Sequence, residues 1–263
     1  MPCLPRTAAA LMRALEDPDM PVSEVGHIVA RDIAIAAKVM QMANSAFFGR
    51  SQEVTTIQHA VLIRGVDLLK QLVIAAEVFH AFQPRRHIDG FSLDGIQGHS
   101  HHVAAIAARL PLPKAARPAA TVAGLLHDAG KLVMASRLPR ECEQIRRLTI
   151  GGRVSFHAAE EQVLGASHAE IAAYLLSLWG LPQTVVFAVA RHHQPSVHES
   201  DDPPFGAPAA VYFANRLAHE REPTAAGASR DRPPSGDHEY LQALGMEDEI
   251  AAWRTLARTV VAP

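Results

Sequence analysis

The amino-acid sequence predicts an all-α protein, and three observations support that prediction. Hydrophobic residues make up 48% of the 263-residue chain, but aromatic residues make up only 5%, so alanine and leucine carry much of the apolar content. Strands prefer β-branched and aromatic residues, whereas alanine and leucine favour helices. Apolar residues recur at helical spacing, and we find no fixed-period repeat and no convincing pair of strands.

The first helices are bounded by prolines and a capping residue. A helix over 5–17 should end at Asp17-Pro18, because the residue before a proline is disfavoured in the helical region. Pro21 can open the next helix. Asp32 is placed to cap a third helix, IAIAAKVMQMA, whose apolar residues share one face.

Two further helices and a connection complete the N-terminal half. The motif ANSAFFG at 43–49 breaks the helical pattern, and Gly49 suits a helix exit. Helices are predicted over 55–64 and 66–82. The stretch 83–95 contains Pro84 and two glycines, which predicts a connection between two halves of the chain.

The C-terminal half is also predicted to be helical. Its helices are expected over 97–110, 116–128, 138–149, 155–163, 167–178, 182–192, 206–219 and 238–258. Between the last two, residues 221–237 are rich in proline, glycine, serine and charge, which predicts a mobile loop.

Charge, cysteine content and the lengths of apolar runs exclude several classes of protein. A formal net charge of −2 gives no overall field that would recruit nucleic acid or anionic lipid, and the arginine cluster within 137–147 is predicted to be a solvated face. Cys3 and Cys142 form no disulfide framework, which suits a reducing compartment. No apolar run reaches the roughly 20 residues of a membrane span, and the N-terminus lacks a signal peptide. We therefore predict a cytoplasmic protein that binds neither membrane nor nucleic acid.

The chain contains 15 histidines, and several fall at the ends of predicted apolar helices. These histidines, with the acidic neighbour of one of them, are His99, His127 with Asp128, His168, and His192 with His193. Histidine is the commonest metal ligand among side chains, and metal sites in helical bundles are built from side chains that converge from several helices. The set therefore predicts a metal site.

Each of these histidines also has a structural explanation. A single histidine at a helix C-terminus is usually a favourable partner for the helix dipole. Neighbours on a helix point about 100° apart, so each adjacent pair could serve two metals, or one metal and a substrate. Lys131 could reach back over the same turn to offer a cation to an anionic ligand. His101 and His102 are expected on the solvated side.

Two motifs resemble the HD superfamily of metal-dependent phosphohydrolases: HSHHVA at 99–104 and LLHDAGK at 125–131. The motif ANSAFFG, with IQHAVLIRGVDLL at 57–69, resembles the HDOD domains of bacterial signalling proteins. The segment GASHAEIAAYLLSLWGLPQTVVFAVARHHQP at 165–195 is similar to the second half of that family. The resemblance extends over nearly the whole chain, residues 4–258.

The resemblance implies a single HDOD unit over 1–263, in which an N-terminal helical bundle (4–90) packs on an HD-type helical bundle (96–258). It implies a bacterial signal-transduction output module that binds protein partners or a ligand. By similarity to the HD-GYP phosphodiesterases, it implies one or two ions of iron or zinc. The implied metal ligands are His99, His127, Asp128, His168, His192 and His193. In an active site, Asp128 and Lys131 would be catalytic.

Three departures from the enzymes' pattern qualify the predicted activity. Asn215 stands where HD enzymes place a late aspartate ligand, Gly95 stands where some HD-GYP sites have a glutamate, and the GYP signature is absent. A dinuclear hydrolytic site needs carboxylates to balance its two cations. We therefore expect an output module with a retained metal site and little or no catalysis. The alternative is a metal-dependent phosphohydrolase or phosphodiesterase acting on a nucleotide or cyclic nucleotide. The identity of the signalling partners and the formation of a homo-oligomer are left open.

Overall fold

The computed structural model describes residues 5–17, 19–44, 54–83, 92–150, 154–194, 205–220 and 236–260. Regular secondary structure in these ranges is entirely helical, which confirms the all-α class. In the same ranges no helix is long and apolar enough to cross a lipid bilayer. The predicted helix exit at Gly49 lies outside the described residues, as does the predicted loop 221–237 up to residue 235; its last two residues begin a helix.

The chain divides into two compact units, Met1–Phe82 and Gln83–Pro263. The described helices of the first unit are α1 (Arg6–Ala14), α2 (Val22–Ala30), α3 (Ile33–Ala43), α4 (Ile57–Arg64) and α5 (Val66–Ala81). Asp32 caps α3 as predicted, since its Oδ1 accepts a hydrogen bond from the Ile35 amide at 3.1 Å. Helix α5 is buried almost continuously from Leu68 to Phe79, and α1, α3 and α4 pack around it.

The second unit carries the histidine motifs. Its described helices are α6 (Leu93–Ala107), α7 (Arg117–Leu126), α8 (Ala129–Arg137), α9 (Pro139–Thr149), α10 (Phe156–Leu164), α11 (His168–Leu178), α12 (Gln183–Ala190), α13 (Ala207–His219), α14 (Gly236–Ala243) and α15 (Glu249–Thr259). Helix α6 packs against α7 and α13, whereas α11 packs against α8 and α12.

The helices of this unit differ from the prediction in several places. Helix α6 begins at Leu93, because the Ser92 hydroxyl accepts from the Gly95 amide and caps it, so His99 lies inside the helix instead of opening it. The segment that follows Asp128, left unassigned by the sequence analysis, is helix α8. The single helix expected over 238–258 is two helices, interrupted near Gly245, whose φ of 64° lies in the left-handed region.

Helices α8, α9 and α10 enclose a small apolar cluster that contains the buried thiol of Cys142. The cluster consists of Met134, Ala135, Cys142, Ile145 and Ala159. Burial, with Glu160 and Glu141 nearby, raises the pKa of Cys142 to about 11.

We expect Cys142 to react very slowly with thiol reagents. The thiolate is the nucleophile, and at pH 8 a thiol with a pKa of about 11 holds about a hundredth of the thiolate of one with a pKa of 9. The labelling rate with a disulfide reagent, measured on a Cys3→Ser variant, should rise as the pH approaches 11. The same variant unfolded in guanidinium is the control; equal rates at pH 8 in the folded and unfolded protein would contradict the expectation.

Candidate metal centre

Helix ends bring most of the predicted site residues together. His127 is the C-cap of α7 and Asp128 the N-cap of α8, so both lie at one sharp junction. His168 is the first residue of α11. His192 and His193 lie in the turn after α12, which ends at Ala190 and not at residue 192 as predicted.

The first cluster consists of His168, His192 and His193, which are close enough to share one ion. Nε2 of His168 lies 3.3 Å from Nε2 of His192 and 2.9 Å from Nε2 of His193. The two neighbouring histidines thus face the same point, because they lie in a turn and not on a helix. His168 and His192 are each 1% exposed.

The second cluster consists of His99, His127 and Asp128. Asp128 lies between the two clusters, with Oδ1 3.3 Å from Nε2 of His168 and Oδ2 3.5 Å from Nε2 of His127. His99 Nε2 donates a hydrogen bond to Oδ1 of the buried Asn215 at 2.8 Å. Both clusters therefore contact the same carboxylate, Asp128, and the second cluster has the neutral amide of Asn215 as its further partner.

Backbone carbonyls fix the tautomers of two of these histidines. Nδ1 of His127 donates to the carbonyl of Gly124 at 2.8 Å, and Nδ1 of His192 donates to the carbonyl of Val189 at 2.6 Å. A carbonyl can only accept, so the proton of each neutral ring is on Nδ1 and the lone pair is on Nε2. Both lone pairs therefore face the clusters.

Burial sets the charge states in this region. It lowers the pKa of His127 to about 3 and those of His192 and His193 well below the usual value, and the neighbouring histidines add to this effect. Burial alone would raise the pKa of Asp128, but His127, Lys131 and His168 hold it well below its usual range. Neutral His127, His192 and His193 beside an ionised Asp128 are in the protonation states that a metal ion requires. His168 differs: burial and Lys131 would lower its pKa, but Glu160 and Asp128 raise it.

Lys131 was predicted to reach back over the turn toward an anionic ligand, and in the structure its ammonium group pairs with Asp128. Its Nζ lies 2.9 Å from each carboxylate oxygen and 5.6 Å from the centre of the Phe156 ring. Lys131 is thus a cation at the edge of the two clusters, and its charge offsets that of Asp128.

Sequence reasoning missed three residues that contact the clusters. It was also wrong about His101, which is buried and not solvated as expected. His219 stacks on His99 with ring centroids 4.4 Å apart, and His157 lies beside His193 at 5.1 Å. Glu160, a fully buried carboxylate, contacts His168. Glu160 precedes His168 by eight residues in an ordinary amphipathic helix, so no local pattern marks it.

Comparison with known proteins identifies the family. The sequence profile of the HDOD domain matches residues 1–195. The chain belongs to the HDOD family. This HDOD chain is 27% identical over 201 residues to an uncharacterised protein of Treponema pallidum, a match that covers 73% of the chain but only 37% of that relative. The chain thus spans little more than a third of the curated relative it matches.

Two solved structures share the fold of this HDOD chain. A protein from Shewanella amazonensis, named as a proposed phosphohydrolase, superposes with a TM-score of 0.67 at 24% identity over 98% of this chain and 90% of its own. A protein from Marinobacter aquaeolei, named as a proposed signal transduction protein, gives 0.65 at 24% identity over 98% of this chain and 58% of its own.

The HDOD clusters fit a divalent transition-metal ion. Ligand nitrogens about 2.1 Å from a common ion lie about 3.0–3.4 Å apart, close to the spacings of the first cluster. In the second cluster, Nε2 of His127 is buried and has no hydrogen-bond partner among the described residues, an arrangement that costs free energy unless an ion or a water molecule binds this atom. Nitrogen-rich donors suit iron or zinc, whereas magnesium and calcium prefer oxygen.

Proposed function

We propose that this HDOD chain is a signal-transduction output module that holds one metal ion and has little or no hydrolytic activity. The hydrogen bond between His99 and Asn215 carries this proposal. It occupies Nε2 of His99 with a neutral partner, so the second cluster keeps Asp128 as its one carboxylate. Two adjacent cations need more negative charge than this.

The ion would be held by His168, His192 and His193, with Asp128 as the adjacent carboxylate. Iron is our first choice and zinc the second, since three imidazoles and one carboxylate suit both ions. In this role the ion would fix the start of α11, the turn after α12 and the start of α8 in one arrangement. A signal would then reach partner proteins through the shape of this unit, without a chemical step.

A metal-dependent phosphohydrolase acting on a nucleotide or cyclic nucleotide is the second candidate. Lys131 favours it, because an ammonium group beside the metal ligands could bind a phosphate oxygen or protonate a leaving group. The ion would supply positive charge that stabilises the transition state of phosphate ester hydrolysis. The name of the Shewanella protein agrees with this candidate, but the amide of Asn215 weighs against it.

Metal content of protein purified without chelators tests the proposal. We expect about one equivalent of iron or zinc per chain, and none in an Asp128→Ala, His193→Ala double variant, because two ligands of one site are lost. His27→Ala is the matched control: it removes a histidine from the first unit whose side chain is 65% exposed. No metal in the wild type would contradict the proposal.

Hydrolytic activity is measured on the wild type and on the same double variant. The protein loaded with Mn²⁺ or Fe²⁺ should turn over neither cyclic dinucleotides nor a chromogenic phosphodiester above the rate of the double variant. Metal-dependent turnover that Asp128→Ala abolishes would replace the proposal by the second candidate.

A further inference from the structure

We propose that Glu160 is a positioning residue for the metal centre, whose buried carboxylate fixes the ring of His168 so that Nε2 faces His192 and His193. This inference rests on the proposed function, since it assigns a role to a residue that contacts a proposed ligand of the same metal site. Glu160 is on α10 and is 0% exposed.

One carboxylate oxygen makes two contacts to His168. Oε2 of Glu160 accepts from Nδ1 of the ring at 2.6 Å and from the backbone amide of the same residue at 3.0 Å. The short ring contact is typical of a charge-assisted hydrogen bond. A bond to both ring and backbone holds the side-chain torsions, so the ring can neither flip nor swing away.

The first turn of α11 favours a negatively charged group such as the carboxylate of Glu160 beside it. Amide groups in the first turn of a helix lack partners within the helix, and the helix dipole adds positive potential there. Ser167 and Glu170 form a capping box that satisfies two of these groups, and Glu160 satisfies the amide of His168. The capping box leaves the first residue of α11 in one fixed orientation.

The contact determines which ring nitrogen can bind a metal. Because Nδ1 donates to Glu160, the lone pair of neutral His168 is on Nε2, the atom nearest to His192 and His193. A carboxylate behind the ring also makes the imidazole a stronger donor, and loss of such a partner typically lowers metal affinity 10–100-fold.

A purely structural role does not explain why a glutamate stands at position 160. Its second oxygen, Oε1, is buried and has no hydrogen-bond partner among the described residues. A half-satisfied buried carboxylate costs stability, and an apolar or amide side chain of the same size would cost less.

Zinc affinity of three proteins tests the assignment: wild type, Glu160→Gln and Glu143→Gln. Glu160→Gln keeps the shape of the side chain but removes its charge. Glu143→Gln makes the same charge change on an exposed residue of α9. With Zn²⁺ in competition with a chromogenic chelator, we expect about a 10–100-fold weaker Kd for Glu160→Gln and no change for Glu143→Gln. Equal affinities in all three proteins would overturn the assignment.

Protonation of the His168 ring, read from ¹⁵N NMR of metal-free protein, gives a result that does not depend on zinc. Nδ1 should carry a proton in the wild type and should lose it in part of the Glu160→Gln population, because an amide can donate as well as accept. An unprotonated Nδ1 in the wild type would overturn the proposal even if zinc binds. If the wild type binds no metal but this signature is present, the proposed function fails while the Glu160 contact stands.

Discussion

Replacing Gly130 by alanine should destabilise the C-terminal unit by about 3 kcal/mol or more and abolish metal binding. A Cβ at this position would overlap the backbone carbonyl of His168. The obstacle is backbone, so no side chain can rotate to make room. Helix α8 would have to move away from α11, and Asp128 would then separate from His168. Urea unfolding and zinc content per chain measure both effects.

Gly98→Ala is the matched control for this prediction. Gly98 is on α6 and is exposed, and nothing lies within 4 Å of the position that its Cβ would take. An exposed helical glycine is about 0.5–1 kcal/mol less favourable than alanine, so this variant should be slightly more stable than the wild type and keep its metal. If Gly130→Ala unfolds at the same urea concentration as Gly98→Ala, the close approach of α8 and α11 is not a requirement of the fold.

The helical fold could be predicted from the sequence because its signals are local. Asp32 caps α3 through an amide three residues away, and Pro182 stands directly before α12. The predicted helix boundaries were wrong where the contact that begins or ends the helix is not apparent in the pattern of apolar residues. Ser92 begins α6 inside a stretch whose proline and two glycines indicate a connection, and the turn at Asp128 separates two helices without a proline.

The candidate site was predictable in its residues but not in its arrangement. Adjacent histidines on a helix would diverge, yet His192 and His193 converge on His168 because α12 ends two residues before His192. Glu160 could not be found at all, since its role depends on how α10 meets the start of α11. Such contacts between residues distant in the sequence do not produce a periodic pattern of apolar and polar residues.

Replacing Asn215 by aspartate should raise the zinc content from about one to about two ions per chain. Two unit charges about 4 Å apart interact by about 4 kcal/mol at an effective dielectric constant near 20, roughly a thousandfold in affinity, and a doubly charged ion gains about twice that energy. Burial of the new carboxylate offsets part of this, so we expect the second ion to bind about 100-fold more tightly than in the wild type. Isothermal titration of metal-free protein with Zn²⁺ measures the stoichiometry and both affinities.

Asn215→Ala separates the charge from the hydrogen bond. Alanine frees Nε2 of His99 from its partner at 2.8 Å but adds no carboxylate. If the lack of a second carboxylate prevents the second cluster from binding an ion, Asn215→Ala should still bind one ion per chain. Asn215→Asp alone should then bind two. Two ions in Asn215→Ala would mean that the hydrogen bond to His99, and not the missing charge, keeps the second ion out. Two ions already in the wild type would contradict the one-ion centre and favour the phosphohydrolase, because His99, His127 and Asp128 would then form a second site without help from residue 215.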